Sequence, residues 1–335
     1  MKILSKIALS VFTSLSIVAS PFANADVASE GFQSTPIGDR TLLFKTPATN
    51  EFTGTDGAGG TSGNGKLMIW LVESSASAAD MLDPNTPRGN ATINAIRALW
   101  GNGWLVVIPE PRTEYKIREN CPFIPAKNEN FPASRFSLTP MWQTNTPDSS
   151  NPDENFINAI LDLAPGYNTQ FPENDNRRLT KNYMIGLSSG AIFASYMAEK
   201  NGTKSDNNPN GFNGFIMVNG IGSKGLSYID PAENTGDCSE QSLTLSQDYT
   251  VDPGAPPSLD IYSLYDEWLD VFTEGAYTSQ QGTDYLFSNH APNSEAFPAY
   301  AADGTNARKG HLWTDEWFNI DGPVVSRIGT WLQEH

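Results

Sequence analysis

The sequence predicts a single α/β domain in which a mostly parallel β-sheet is covered by helices on both faces. Several segments of strand length are apolar throughout, as expected for strands that are buried on both faces. Segments with helical spacing alternate with them along the chain. The 335 residues contain no internal repeat and no linker between regions of different composition, so one domain is the simplest organisation.

Three strands and the end of a helix are predicted in the first part of the chain. The strands are 41–45 (TLLFK), 67–72 (LMIWLV) and 103–109 (GWLVVIP), and the last two are continuous apolar runs. Residues 93–100, between those two runs, have the pattern of a helix end. The Gly-rich stretch 54–65 is interpreted as a connection and not as a phosphate-binding loop, because no Gly-Lys-Ser/Thr sequence closes it.

A Pro- and Asn-rich excursion, residues 110–151, precedes the second group of elements. A loop of this length either shapes a substrate site or is decoration. Trp142 within it is compatible with a substrate cleft and with the ordinary core. Beyond the excursion, the pattern predicts helices at 154–163 and 191–200, strands at 182–185, 214–219 and 259–264, and a closing amphipathic helix at 324–332.

The first 25 residues are interpreted as a signal peptide, followed by a domain that spans residues 26–335. Two lysines precede an apolar run at 7–19, and Ala-Asn-Ala at 23–25 offers the small-x-small pattern that signal peptidase cleaves. The apolar run is short for a membrane span, so a retained anchor is the less favoured alternative. We therefore expect the protein to be secreted, to the extracellular medium or the periplasm.

Composition and charge exclude several classes of protein. Hydrophobic residues make up 39% of the chain, enough for a sizeable core, and the charged fraction of 18% is too low for a disordered polyelectrolyte. The net charge of −17 becomes −19 after signal cleavage, which removes two lysines and no acid. Such a chain repels nucleic acids and anionic membrane surfaces, so we expect neither as a partner of the mature protein. The sequence leaves the oligomeric state open.

The two cysteines, Cys121 and Cys238, lie in polar segments that contain Pro or Gly. In an oxidising compartment they are expected to form a disulfide, and two separate free thiols are the alternative. In the chain-entropy model a disulfide closing a loop of this length adds about 4–5 kcal/mol to stability. No metal site is predicted, because there is no CxxC motif and the three histidines are scattered.

A candidate nucleophile lies in Gly-Leu-Ser-Ser-Gly at 186–190, the only G-x-S-x-G pattern in the chain. The serine hydroxyl is a weak nucleophile that needs a base to take its proton and donors to hold the oxyanion. A predicted strand precedes the pattern and a predicted helix follows it, which is the context of a sharp nucleophile-bearing turn. Ser188 is therefore the predicted nucleophile, and the backbone N–H of Ser189 is a predicted oxyanion donor.

His311 is the predicted general base. It lies after the last predicted strand and just before the closing helix, where a triad in the order Ser, acid, His has its base. His290 is in a loop with no following element to fix it, and His335 is the terminal residue and is expected to be solvated. Position along the chain therefore separates one histidine from the other two.

Asp266 is the predicted acid of the triad, because it follows the strand at 259–264 and precedes the candidate base. Its carboxylate would hold the imidazole tautomer and stabilise the imidazolium. Glu267 and Asp270 are close competitors. Asp260, within the strand, is expected at a solvated or edge position.

The second oxyanion donor is expected in the loop that follows the strand at 67–72. That loop begins Glu73-Ser74-Ser75. A backbone N–H of Ser74 or Ser75 is the candidate, and the serine side chains need not take part.

These motifs together resemble the extracellular polyhydroxybutyrate depolymerase and feruloyl esterase group of α/β-hydrolases, over roughly residues 38–333. The resemblance rests on GLSSGA at 186–191, the late Asp266, GHLW at 310–313, and shorter similarities at 39–47, 106–110 and 153–157. It implies a single-domain α/β-hydrolase fold and a Ser188–His311–Asp266 triad. One departure is Glu73-Ser74, where the family usually has His-Gly. An acid at this place would oppose the developing negative charge unless its side chain points away.

The function expected from the sequence is that of a secreted serine carboxylic-ester hydrolase that works through an acyl-enzyme and needs no cofactor. The substrates that the resemblance implies are polyesters, oligoesters and acyl or feruloyl esters on polysaccharides, and the negative charge favours neutral ones. A secreted serine peptidase is one alternative. The other is a non-catalytic relative that binds a polymer or a protein, which Glu73 favours.

Overall fold

In the computed structural model, all the strands within the described residues belong to one eight-stranded sheet. The structure describes residues 31–46, 65–73, 76–100, 104–111, 142, 151–173, 175, 177–220, 254–262, 294–298 and 323–335. The strands are β1 Gln33–Ile37, β2 Arg40–Lys45, β3 Gly65–Leu71, β4 Trp104–Pro109, β5 Leu179–Leu187, β6 Gly214–Val218, β7 Ser258–Tyr262 and β8 Ser294–Pro298. The helices are α1 Pro87–Trp100, α2 Pro152–Leu161, α3 Leu163–Asn168, α4 Ser189–Asn201 and α5 Pro323–Glu334, with a 3₁₀ turn at Asp80–Leu82.

The strand order across the sheet is β1-β2-β4-β3-β5-β6-β7-β8. β2 runs antiparallel to both of its neighbours, whereas every pair from β4 to β8 is parallel. The carboxyl ends of the parallel strands therefore meet at one edge, where ligands of open α/β sheets bind. The predicted mostly parallel α/β sheet is confirmed.

The apolar runs form strands because both faces of the sheet are covered. Along β3 the side chains alternate: Met68 and Trp70 belong to the core on one face, and Leu67, Ile69 and Leu71 to the core on the other. The first face packs against α1 and α5, and the second packs against α2, α3 and α4. A strand between two apolar layers has no solvated face, so its sequence shows no polar alternation.

The closing helix α5 docks through the stripe that its sequence predicts. Val324, Ile328, Trp331 and Leu332 are all buried. The Trp331 indole lies so close to Gly214 at the start of β6 that a Cβ there would be 2.5 Å from its Cη2 atom. No helix in the described part of the chain combines the length and the apolarity that crossing a bilayer requires.

One expectation is corrected by the sheet. Asp260 was expected at a solvated or edge position, but β7 lies between β6 and β8 and Asp260 is only 4% exposed. The Oγ of Ser258, on the same face of the strand, lies 3.5 Å from its Oδ2 atom. A carboxyl inside a sheet requires such polar neighbours, and which ones it meets depends on tertiary packing.

Candidate functional site

Ser188 occupies the turn between β5 and α4 by itself. β5 ends at Leu187 and α4 begins at Ser189, and Ser188 has φ 52° and ψ −117°. Its N–H donates to the carbonyl of Val218 on the neighbouring strand at 2.9 Å, and its own carbonyl accepts from Ala191 at 2.9 Å, inside the new helix. This single residue therefore changes the chain from strand to helix and presents its side chain at the carboxyl edge of the sheet.

The two glycines of the pattern allow backbone segments to approach closely. A Cβ on Gly186 would collide with the carbonyl of Gly190. A Cβ on Gly190 would be 2.5 Å from the carbonyl oxygen of Val72 and 2.7 Å from that of Leu71, at the end of β3. The turn packs directly on the start of the loop after β3, so a side chain at Gly190 would push these two segments apart, whereas one at Gly186 would distort the turn itself.

Backbone strain is concentrated at this edge of the sheet. Ser188 and Asn219 are the non-glycine residues with positive φ in the described segments. Asn219 directly follows β6, next to the carbonyl that holds the Ser188 N–H, and its own N–H donates to Ile261 of β7 at 2.9 Å. Non-glycine residues pay a conformational cost in this region, and such residues cluster at functional sites.

Ser189 stands where an oxyanion donor is expected. It is the first residue of α4, and the N–H groups of a first helical turn have no acceptor within the helix. Ser189 is 4% exposed, and its Oγ has no hydrogen-bond partner among the described atoms. Its role as a donor stays a prediction.

The opposite wall is the loop that follows β3. Ser74 and Ser75 lie outside the described residues, but Glu73 and Ala76 on either side of them are described. Glu73 is buried, and its carboxylate forms an ion pair with Arg88 of α1. The acid that departs from the family pattern is therefore neutralised by a neighbouring cation.

Trp142 contacts the start of the same loop, at Val72. Its indole is fully buried, and its Nε1–H donates to the carbonyl of Val72 at 3.0 Å. The ring stacks on Phe193 of α4 at 5.4 Å between centroids. Of the two interpretations of this residue, the structure supports the core.

Glu110 is a further residue at this edge, and the sequence motifs assigned it no role. It directly follows β4, and its Oε2 accepts the N–H of Ala78, in the loop after β3, at 2.9 Å. Burial raises the pKa of this carboxyl above its ordinary value. The sequence shows an acid immediately after an apolar strand. It does not show the partner of that acid, because Ala78 lies 32 residues away along the chain.

The remaining predicted site residues lie outside the described residues. These are His311, Asp266, Cys121 and Cys238, together with the competitors Glu267, Asp270 and His290. The last described residue of β7, Tyr262, lies at the same edge as Ser188 and precedes Asp266 by four positions. In the described segments, no group of three or more His, Cys, Asp or Glu side chains could hold a metal ion.

His335 lies at the far end of the sheet. Its backbone oxygen accepts from Lys181 near the start of β5, whereas Ser188 follows the end of that strand. The seven residue steps along the strand from Lys181 to Ser188 span about 23 Å. His335 is half-buried against Trp331 and not fully solvated, with the ring centroids 4.8 Å apart. It cannot reach Ser188 as a base.

No family model and no curated protein sequence matches the chain. Among solved structures, it is similar to the Pyrococcus furiosus esterase Pf2001, with 14% identity over 93% of this chain and 96% of that one and a TM-score of 0.42. It is also similar to Thermogutta terrifontis esterase 2, with 12% identity, 90% and 92% coverage and a TM-score of 0.45. XC6422 from Xanthomonas campestris, an α/β serine hydrolase without a lid, shows 12% identity, 90% and 94% coverage and a TM-score of 0.39.

Identities and TM-scores this low say nothing about the activity of this chain. The strand order, the single antiparallel strand β2 and the serine-bearing turn between β5 and α4 are those of an α/β-hydrolase fold.

Proposed function

We propose that this protein is a serine carboxylic-ester hydrolase with Ser188 as its nucleophile. The observation that carries the proposal is the positive φ of Ser188 between a parallel strand and a helix, with a glycine two residues away on each side. This turn raises a serine hydroxyl above the edge of the sheet and points a helix N-terminus at the same place. A buried structural serine has no need of such a strained backbone.

In the proposed reaction the Ser188 Oγ attacks the ester carbonyl carbon while His311 Nε2 takes the hydroxyl proton. Asp266 holds the imidazole and stabilises the imidazolium. The N–H of Ser189 and one N–H from Ser74 or Ser75 receive the oxyanion of the tetrahedral intermediate. His311 then gives its proton to the leaving alcohol, and water hydrolyses the acyl-enzyme by the same steps, regenerating the Ser188 hydroxyl.

We propose neutral esters as substrates: polyesters, oligoesters or acyl esters on polysaccharides, met outside the cell after export. The net charge of −17, which becomes −19 on removal of the two lysines of the signal peptide, disfavours polyanionic substrates. The ion pair between Glu73 and Arg88 supports an enzyme over a non-catalytic relative, because a neutralised acid no longer opposes an oxyanion. A peptidase uses the same triad chemistry, so amide substrates are part of the test.

A fluorophosphonate probe tests the nucleophile. We expect the wild-type protein to be labelled at Ser188 and to hydrolyse p-nitrophenyl esters. Ser188→Ala should lose both properties, whereas Ser326→Ala, at an exposed serine of α5, should keep both. Labelling that survives Ser188→Ala, or no labelling of the wild type, would overturn the mechanism.

A pH–rate profile tests the base, and a substrate panel tests the class. We expect kcat/KM to fall as pH decreases through the pKa of His311, because imidazolium cannot accept the serine proton. A flat profile from about pH 5 to 8 would contradict an imidazole base. Polyester film, feruloylated xylan and peptide amides, compared at equal enzyme concentration, separate the proposed ester classes from the peptidase.

A further inference from the structure

The backbone of Glu110 is held firmly at the carboxyl end of β4. Its N–H donates to the carbonyl of Thr41 on β2 at 3.0 Å. Its own carbonyl accepts two hydrogen bonds from the Arg40 guanidinium, from Nε at 3.1 Å and from Nη2 at 2.6 Å. The side chain of Glu110 therefore starts from a fixed point on the sheet.

The carboxylate of Glu110 reaches across to the loop that follows β3. Its Oε2 accepts the N–H of Ala78 at 2.9 Å. The nearby hydrogen bonds of Ser77 are local, since its N–H and its Oγ both bind Oδ2 of Asp80 at 2.9 and 2.7 Å. Those local bonds shape the loop, but they do not tie it to the sheet. The hydrogen bond from the Ala78 N–H to Glu110 does, and it joins positions 32 residues apart.

The loop held in this way is the wall that faces Ser188. The carbonyl of Val72, where the loop leaves β3, would be 2.5 Å from a Cβ on Gly190 in the serine-bearing turn. β4 is separated from β5 by β3 alone, so Glu110 stands about 10 Å across the sheet from the strand that leads to Ser188. At that distance Glu110 acts through the loop and does not touch a bound ester.

We propose that Glu110 is a positioning residue, whose carboxylate fixes the loop after β3 so that the loop's oxyanion donor is aligned with the Ser188 nucleophile. This inference rests on the proposed ester hydrolysis. Oxyanion donors act by preorganisation, and complete loss of one costs about 10²–10³ in kcat. A donor that is displaced but still present keeps part of its effect, so we expect loss of the Glu110 acceptor to cost about tenfold.

Two substitutions of similar size separate positioning from packing. Glu110→Gln keeps an oxygen acceptor for the Ala78 N–H, and Glu110→Met keeps the length of the side chain without it. With p-nitrophenyl butyrate at about pH 8, where the base is neutral, we expect Glu110→Met to lower kcat about tenfold with KM within about twofold of wild type. Glu110→Gln should stay within about twofold of wild type in both constants. The rate of fluorophosphonate labelling should follow kcat, because that adduct is also tetrahedral.

A general loss of structure would not produce this pattern. It would lower the fraction of protein that labels at all and would affect Gln and Met variants according to their melting temperatures. If Glu110→Met does not fold, Glu110→Asp decides, because it keeps the charge but withdraws the acceptor by one methylene group. We expect Glu110→Asp to show the same roughly tenfold lower kcat that is expected of Glu110→Met.

The outcomes distinguish the two proposals. A wild type that neither labels nor hydrolyses esters overturns the proposed function and this inference with it. An active wild type with Glu110→Met at the wild-type kcat overturns the inference alone. The inference is likewise overturned if Glu110→Gln is as slow as Glu110→Met, since the acceptor is then not what matters.

Discussion

Gly190 is the residue at which one added carbon would disturb the site most directly. A Cβ there would meet two backbone carbonyl oxygens of the β3 end, at 2.5 and 2.7 Å, and backbone cannot move aside as a flexible side chain can. We expect Gly190→Ala to lower the free energy of unfolding by about 1–3 kcal/mol and to abolish ester hydrolysis. Urea unfolding and an ester assay measure the two effects.

Gly329 in α5 provides the matched control. A Cβ at this position would meet nothing within 4 Å. Alanine costs less conformational entropy than glycine in a helix, so Gly329→Ala should raise the free energy of unfolding by about 0.5–1 kcal/mol and leave activity unchanged. Equal unfolding midpoints for the two variants would contradict this explanation of the turn.

The raised pKa of Glu110 gives a pH dependence of stability. Burial is the main cause, the charge of Asp80 adds to it, and the bonds from Ala78 and Ala79 and the charge of Arg40 act against it. The native state binds the Glu110 proton more tightly than the unfolded state, whose ordinary pKa is 4.5. The contribution of Glu110 to stability is therefore fully present below that value and is lost as pH rises through the raised native pKa.

Glu110→Gln removes this titration. We expect the difference in free energy of unfolding, variant minus wild type, to increase as pH rises from about 4 through the native pKa, and then to become constant. Urea unfolding of both proteins over a series of pH values measures it. A difference that decreases with pH would show that the native pKa is lowered and not raised.

Among the elements, β2 and α2 are joined by a buried ion pair. Arg40 Nη1 lies 2.5 Å from Asp153 Oδ1, with the two side chains 9% and 0% exposed. The guanidinium also lies 4.0 Å from the Phe156 ring centroid. Loss of one partner leaves a buried charge, so Asp153→Ala should lower the free energy of unfolding by about 3–5 kcal/mol.

The next residue of the same helix is the control for that prediction. Glu154 pairs with Lys200 at the surface, where the lysine side chain is 48% exposed. The Glu154 side chain is 14% exposed and also accepts a hydrogen bond from the Tyr196 hydroxyl at 3.0 Å. A pair with one exposed partner contributes about 0–1 kcal/mol and a hydrogen bond about 1 kcal/mol, so Glu154→Ala should cost about 1–2 kcal/mol, less than Asp153→Ala. Similar losses for the two variants in urea unfolding would mean that burial does not set the strength of these pairs.

The strands that the sequence patterns predicted are the six inner strands of the sheet, β2 to β7. The apolar runs that became β3, β4 and β6 were recognisable because a strand covered on both faces is apolar at every position. The edge strands β1 (QSTPI) and β8 (SEAFP) were not predicted, since an edge needs no apolar run and tolerates proline. Their place in the sheet depends on partners distant in sequence.

The same contrast applies to the site within the whole molecule. Ser188 was predictable because its geometry is set by five consecutive residues between two recognisable elements. The roles of Glu110 and of the Arg88 that neutralises Glu73 were not, because both depend on how separate elements pack. His311 and Asp266 remain predictions from their order along the chain.

The charge of the whole chain predicts how stability responds to salt. With a net charge of −17, self-repulsion opposes the compact state, and salt screens it by shortening the Debye length from about 30 Å at 0.01 M to about 8 Å at 0.15 M. We expect the melting temperature to rise by a few degrees over this range in NaCl, measured by circular dichroism. KCl should give the same rise, and a decrease in either salt would contradict net repulsion.

The positive φ of Ser188 sets two selective pressures against each other at one codon. Glycine is the residue that would relax this backbone, and it carries no hydroxyl. Selection for stability alone would favour Ser188→Gly, whereas selection for a reaction at this hydroxyl excludes that substitution. A relative found with glycine at this position would be one in which natural selection had ceased to require a reaction there.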